Sequence, residues 1–353
     1  MGFNRTHFPL AKAKQPDDIY FLQCQLRYPF CAKMLNSTAA TISPPAVRSV
    51  DPDQFRDFAS NAVLAADRLS ADELPSRLRQ IQLGDWAMDL AEVNNHLKVD
   101  GILDADRLAV VVVQRGADSS ICGVPLKEDR VLVLPGGSRL VANARPGLRY
   151  HATTLSSAMW EDISTSVLDT DFETIGKDIQ AFDLGRLGAA VMGSAAAASS
   201  RLLDLARDST TPEALPDALA DHIGALLQLC MPMRGVCLDR SLKHRMQQAW
   251  QAQDFIHAHL HEQISMPLLC RELRISRRQL EYAFRTAFEV APKEFIQLMR
   301  LNEGRRRLMT ARRRGLSVTD VAMDVGVNHL GRFSTSYREL FGETPRATLL
   351  AGG

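Results

Sequence analysis

Ser265-Met-Pro-Leu-Leu-Cys-Arg-Glu-Leu273, then Arg274-Ile275-Ser276, then Arg277-Arg-Gln-Leu-Glu-Tyr-Ala-Phe-Arg-Thr-Ala-Phe288 is the stretch on which the fold turns. Ser265 suits a helix N-cap and Pro267 its first turn. Met266, Leu269, Cys270 and Leu273 then recur at helical spacing. After a three-residue turn, Ser276–Phe288 carries Leu280, Ala283, Phe284 and Phe288 as a stripe to be buried. Arg277, Arg278, Glu281, Tyr282 and Arg285 face elsewhere. A short helix, a tight turn and a second helix with an exposed basic face make a helix-turn-helix.

The unit recurs. Val318–Asp324 is a second short helix, Val325-Gly326-Val327 a second turn, and His329–Phe341 a second long helix. Val321-Ala322 follows Leu269-Cys270 by 52 residues. Beyond the turn the offset is 53, pairing Phe333 with Leu280, Tyr337 with Phe284 and Phe341 with Phe288. Gly342-Glu343-Thr344-Pro345 echoes Glu289-Val290-Ala291-Pro292. Between the units Pro292–Thr310 reads as one helix of roughly 28 Å. That length is close to the ~34 Å between successive major-groove faces of B-DNA.

Charge divides the chain at the same place. From Arg240 onward there are 19 basic and 11 acidic residues, a net of +8; the preceding residues hold 23 basic and 30 acidic, a net of −7. A basic C-terminal third on an acidic body is the footprint of a polyanion-binding module. Hydrophobic residues at 46% and charged residues at 24% describe an ordinary globular protein. No apolar run reaches membrane-spanning length, so no membrane partner is expected. The six cysteines lack C-x-x-C spacing and read as reduced thiols in a cytoplasmic protein.

Residues 250–350 resemble the AraC-type (AraC/XylS) DNA-binding domain. The resemblance rests on Ser276-x-x-x-Leu280-x-x-x-Phe284, Arg300-Leu301-Asn302, Gly326-x-x-His329-x-Gly331-Arg332-Phe333 and Tyr337-x-x-x-Phe341-Gly342-x-x-Pro345. Asn328-His-Leu-Gly-Arg-Phe-Ser334 is most similar to regulators of the ethanolamine-operon type. Arg274 departs from the family's turn glycine in the first unit, and Val327 from its usual aromatic in the second. The resemblance implies base-edge contacts from Arg278, Glu281 and Tyr282, with Arg277 and Arg285 on phosphate. On the second helix it implies Gly331 and Thr335, flanked by His329, Arg332 and Arg338. That face is thin in hydrogen-bonding groups and suits backbone contact. Arg305-Arg-Arg307 and Arg312-Arg-Arg314 stand as phosphate contacts or as a solvated face. His257-x-His259-x-His261 has metal-binding spacing, but no cysteine or carboxylate completes it, and packing is the better reading.

The N-terminal part is read as strands. Leu78–Val93 alternates apolar and polar residues, while Leu108–Val113, Arg130–Leu134 and Leu148–Leu155 are β-branched or apolar runs. Asp129-Arg-Val-Leu-Val-Leu-Pro-Gly136 resembles the strand-turn of the cupin-like sensor barrel in this family. His96 and His151 stand alone, so neither a metal nor another cofactor is expected. Leu187–Arg207 and Ala214–Met231 read as helices that join or dimerise the domains. Arg145-x-x-x-Arg149 and Asp118-x-Ser120-x-x-Gly123 resemble, in reversed order, the two cyclic di-GMP motifs of PilZ-type domains. The plainer reading of the same residues is turn chemistry and surface arginines.

The expected fold class is therefore α+β: an N-terminal cupin-like β-barrel with a helical connector, then an all-α domain of two helix-turn-helix units joined by a long linker helix. The divisions are residues 1–50, a poorly structured arm in which Met34 is an alternative start to Met1; 51–165, the sensor barrel; 166–245, a connector and dimerisation region; and 246–353, the DNA-binding domain. The expected function is sequence-specific transcription regulation under a small-molecule effector bound at the barrel, with cyclic di-GMP one candidate through Asp118, Ser120, Arg145 and Arg149. Double-stranded promoter DNA, RNA polymerase and a second copy of the chain are the expected partners. The alternatives are a constitutive regulator whose barrel only dimerises, and a cupin-fold enzyme with a DNA-binding appendage. The enzyme lacks a metal triad, a nucleophile elbow and a phosphate loop.

Overall fold

The structure, a computed structural model, describes residues 46–50, 62–71, 76–83, 86–128, 130–163, 179–184 and 240–352, with scattered helical positions between 193 and 222. The chain is α+β. Its N-terminal part is two antiparallel sheets. The larger runs in the order β1 (Ala46–Val50), β3 (Ser76–Leu83), β4 (Trp86–Val93), β11 (Leu148–Ser156), β6 (Arg107–Arg115), β9 (Arg130–Pro135) and β12 (Gln180–Asp183). The smaller runs β2 (Ala62–Arg68), β5 (Leu97–Leu103), β10 (Arg139–Ala144), β7 (Ser120–Ile121) and β8 (Val124–Pro125).

The stretches expected to be strands, Leu78–Val93, Leu108–Val113, Arg130–Leu134 and Leu148–Leu155, are strands, with two differences around them. Leu78–Val93 is two strands, β3 and β4, folded back so that Leu83 pairs with Trp86. The apolar positions are odd at Ile81 and Leu83 and even at Trp86, Met88 and Leu90, and that change of phase marks the turn. Ala46–Val50, inside the stretch expected to be an arm, is an edge strand on β3. The connector helices expected at Leu187–Arg207 and Ala214–Met231 lie largely outside the described residues, as do most of residues 1–50.

Inward-facing Val99, Val111, Leu132, Leu134 and Leu148 fill the space between the sheets. The outer face of the larger sheet carries Trp86, His151 and Thr153, all fully buried. Helical residues Ser199 and His222 cover it. The His222 ring is bonded to Thr153 Oγ1 at 2.9 Å and to Ser199 Oγ at 3.1 Å. His151, expected to stand alone, has its ring centroid 6.1 Å from that of His222, and neither of its nitrogens has a partner among the described residues. Burial pushes the pKa of His151 down to about 4; burial and then the neighbouring His151 push that of His222 down to about 3.

The C-terminal part is helical: α2 (Arg240–Ala258), α3 (Met266–Leu273), α4 (Arg277–Phe288), α5 (Pro292–Ala311), α6 (Val318–Asp324), α7 (Leu330–Phe341) and α8 (Pro345–Ala351), following α1 (Ser157–Ile163) in the barrel. Phe284, Phe288 and Phe295 centre its core, with ring centroids 4.5–5.3 Å apart. Leu69 and Val141 of the barrel belong to the same cluster, and Trp250 packs against both cores.

Both histidines are held neutral in the fold, whereas the unfolded chain takes up protons below about pH 6.5. Their stabilisation is therefore complete above pH 6.5 and lost as the pH falls toward 4. Asp89, whose carboxyl burial pushes up to about 6, acts with the opposite sign between about pH 6 and 4. A His151→Leu variant isolates one group. Its stability relative to wild type should rise by up to about 1.4 kcal/mol per pH unit below 6.5, as read from denaturant unfolding between pH 7 and 5. An unchanged difference would remove His151 from the acid response.

Candidate nucleic-acid interface

Ser265 caps α3, accepting from Leu268 N at 3.3 Å. The turn after α3 is made by Arg274 in the left-handed region, φ 54°, with Arg274 N–H bonded back to α3 carbonyls. Arginine thus stands where glycine would be unstrained. Ser276 and Gln279 close a capping box at the start of α4: Gln279 N donates to Ser276 Oγ at 3.2 Å, and Ser276 N to Gln279 Oε1 at 2.9 Å. These caps fix the axis of α4, whose Leu280, Ala283, Phe284 and Phe288 are buried.

The opposite face of α4 presents Arg277, Arg278, Tyr282 and Arg285 to solvent. Glu281 is half-buried and accepts from Arg277 Nε at 2.9 Å, so these two act as a pair. Tyr282 is 57% exposed, and the Arg245 guanidinium of α2 lies 5.0 Å over its ring. Arg245 is a cation at the edge of this face that the sequence reading did not single out. It lies outside the repeated unit and no local spacing ties it to Tyr282.

The second unit is built alike. Ser317 and Asp320 form its capping box, with Asp320 N donating to Ser317 Oγ at 3.2 Å. Gly326 turns the chain at φ 76°. A Cβ there would lie 2.4 Å from the Leu260 carbonyl oxygen, so this turn requires glycine for space as well as conformation. On α7, Phe333 and Tyr337 face inward, and the Tyr337 hydroxyl bonds Thr348 Oγ1 at 2.8 Å. His329, Gly331, Arg332, Thr335 and Arg338 are exposed, and Thr335 spends its hydroxyl on the Gly331 carbonyl at 3.1 Å.

The 20-residue α5 joins the units, about 30 Å long at 1.5 Å per residue. Its first arginine run is engaged within the chain. Arg305 pairs with Glu343 and lies over the Phe341 ring, Arg306 pairs with Asp67 and Glu303, and Arg307 pairs with Glu303 at 2.8 Å. Arg313 and Arg314 are exposed, and Arg312 donates to the Leu350 carbonyl at 3.0 Å. The His259 ring stacks on Phe255 at 4.1 Å, and the described residues contain no group of metal-binding side chains.

The outer face of the smaller barrel sheet docks against α2 and α5. Lys98 and Asp67, fully buried, pair at 3.2 Å, and Arg306 of α5 reaches the same carboxylate. Burial opposes charge on Asp67, but Lys98 and Arg306 outweigh it and hold the carboxyl below its ordinary pKa. Asn302 of α5 brackets Arg68, accepting from its N–H at 2.8 Å and donating to its carbonyl at 2.9 Å. Arg139 forks onto Asp254 of α2 at 2.8 and 2.9 Å.

The inner face of that sheet lines a cavity of about 120 Å³. Of the residues with a resemblance to a cyclic di-GMP site, Asp118 is exposed at φ 54° and Ser120 is half-buried in β7. The Arg145 guanidinium pairs with Glu289 at the end of α4, and Arg149 with Glu92 at 2.7 Å. Both arginines are occupied by carboxylates of the chain, in different directions.

Residues 269–350 match the model of a family described as a helix-turn-helix domain. Two relatives are similar over part of the chain. One is a "XylDLEGF operon transcriptional activator 3" from Pseudomonas putida, 37% identical over 95 residues, 27% of this chain and 29% of its own. The other is a "Probable thc operon regulatory protein" from Rhodococcus erythropolis, 28% identical over 98 residues, 28% of this chain and 30% of its own. The C-terminal domain is thus similar to helix-turn-helix domains. A crystal structure of an AraC-type transcriptional regulator from Chromobacterium violaceum aligns over 31% of this chain and 96% of its own at 24% identity, with a TM-score of 0.29 too low to add to the sequence matches. This chain spans less than half the length of those two relatives; both are named as regulators and neither as an enzyme. No helix among the described residues is long and apolar enough to cross a membrane.

Gly326→Ala tests the turn of the second unit. It should cost at least about 2 kcal/mol through the backbone clash and the positive φ, measured by thermal or urea unfolding. Loss of under half that would mean that the loop at Leu260 moves aside freely.

Proposed function

We propose that the protein is a sequence-specific transcription regulator whose AraC-type domain binds promoter DNA and whose barrel holds a small-molecule effector. The observation that carries this is the double role of the smaller sheet. Leu97 and Val99 of β5 and Leu140 and Ala142 of β10 line the cavity, while the alternate residues Lys98, Asp100, Arg139 and Val141 meet the DNA-binding domain. The pleat places each set on its own face. A ligand that displaces these strands acts on α2 and α5 without touching them, and differential binding to two docked arrangements shifts DNA occupancy.

Contacts to bases are assigned to Arg278, Glu281 and Tyr282, and contacts to phosphate to Arg277, Arg285, His329, Arg332 and Arg338. Gly331 and Thr335 offer surface more than hydrogen bonds. RNA polymerase as partner, a homodimer as working form and the cytoplasm as location complete the reading. Cyclic di-GMP would have to displace Glu289 and Glu92 from Arg145 and Arg149, so the cavity is the favoured effector site.

Arg278→Ala should cost ~1–3 kcal/mol on the operator and much less on a scrambled duplex. Arg338→Ala should weaken both duplexes about equally, because a phosphate contact carries no sequence information. Fluorescence anisotropy on the two duplexes separates the outcomes; equal losses for Arg278→Ala would move specificity off α4.

A further inference from the structure

The cavity wall is not uniform. Strands β2, β5, β6, β9 and β10 contribute aliphatic side chains such as Leu64, Val99, Val111, Leu134 and Leu140. Its polar side chains are Asp89, Tyr150 and Thr154, on the adjacent strands β4 and β11. Asp89 lies directly across from Ala152, and Tyr150 and Thr154 flank that position on β11. Among the described residues the polar groups therefore converge on one wall of an otherwise aliphatic chamber.

Asp89 is only partly satisfied. It accepts a hydrogen bond from the Gln80 side chain on β3, but its Oδ1 is buried without a partner among the described residues. A buried carboxylate oxygen without a donor is unfavourable, and a group that donates to it recovers that loss. An anion placed in the same chamber would face the carboxylate at close range in a medium of low polarity.

The volume limits the ligand. An apolar cavity of roughly 150 Å³ holds benzene, so about 120 Å³ corresponds to a single ring or a short branched chain. We infer that the barrel cavity takes a compact, mostly apolar molecule with one hydrogen-bond-donating head, an amine or a hydroxyl, which donates to Asp89 while its body lies against the aliphatic wall. This rests on the reading of the barrel as the effector-binding part, and it adds which chemistry is accepted and which refused.

Four probes of nearly one size test it on the full chain: aniline, phenol, toluene and benzoate, each titrated by calorimetry and by the rise in melting temperature. Aniline and phenol should bind at least tenfold more tightly than toluene, and benzoate should bind more weakly than either donor. Asp89→Asn should reduce aniline binding about tenfold and leave toluene binding unchanged, the latter reporting an intact cavity. If toluene or benzoate matches the donors, or if Asp89→Asn has no effect, the cavity remains a ligand site and the role of Asp89 is overturned. If none of the four binds, the cavity is not an effector site and both readings fall. The ranking on the wild-type chain decides the matter even if the variant does not fold.

Discussion

A lysine ammonium buried between two domains constrains everything around it. Lys98 is 1% exposed, pairs with an equally buried Asp67, and lies 5.6 Å over the Phe295 ring of α5. Arg306 from α5 completes a group of two cations on one carboxylate. Such a buried set adds little net stability against an apolar replacement, but stranding one member costs about 3–5 kcal/mol. Its effect is therefore on geometry. With Asn302 gripping both backbone groups of Arg68, α5 has one register on the barrel.

The helical domain was legible because its instructions are local. Serine caps, prolines at N1 or N2, aromatic stripes and a duplicated pattern all lie within a few residues of the element they specify. Element limits agreed to within one or two residues, and Arg274 turned the chain in the conformation that glycine would take. The barrel was legible where strands are apolar on both faces, as in β6 and β9, or alternate, as in β3 and β4. β5 carries charged Lys98 and Asp100 on its outward face. They face another domain, which no periodicity records.

The same limit applies to the candidate site. Arg278, Tyr282 and Arg285 are where helical spacing places them, exposed on the far side of α4. The cavity was not foreseen, since its wall draws on both sheets and its polar residues come from strands read as ordinary core. Arg145 and Arg149, close in sequence, part company because a tight turn and a bulge at Arg149 send them to different carboxylates.

The arginine run of α5 illustrates how little a formal charge says about the field outside a protein. Arg305, Arg306 and Arg307 spend their charge on Glu343, Asp67 and Glu303, so the surface around α5 is less cationic than a count of its arginines suggests. Non-specific attraction to the phosphate backbone scales with the charges free to displace counterions. A reader that hides part of its charge gives up residence on random sequence and leaves it sooner. In a genome with millions of wrong addresses, that shortens each fruitless visit and makes a larger share of its binding depend on fit to the bases.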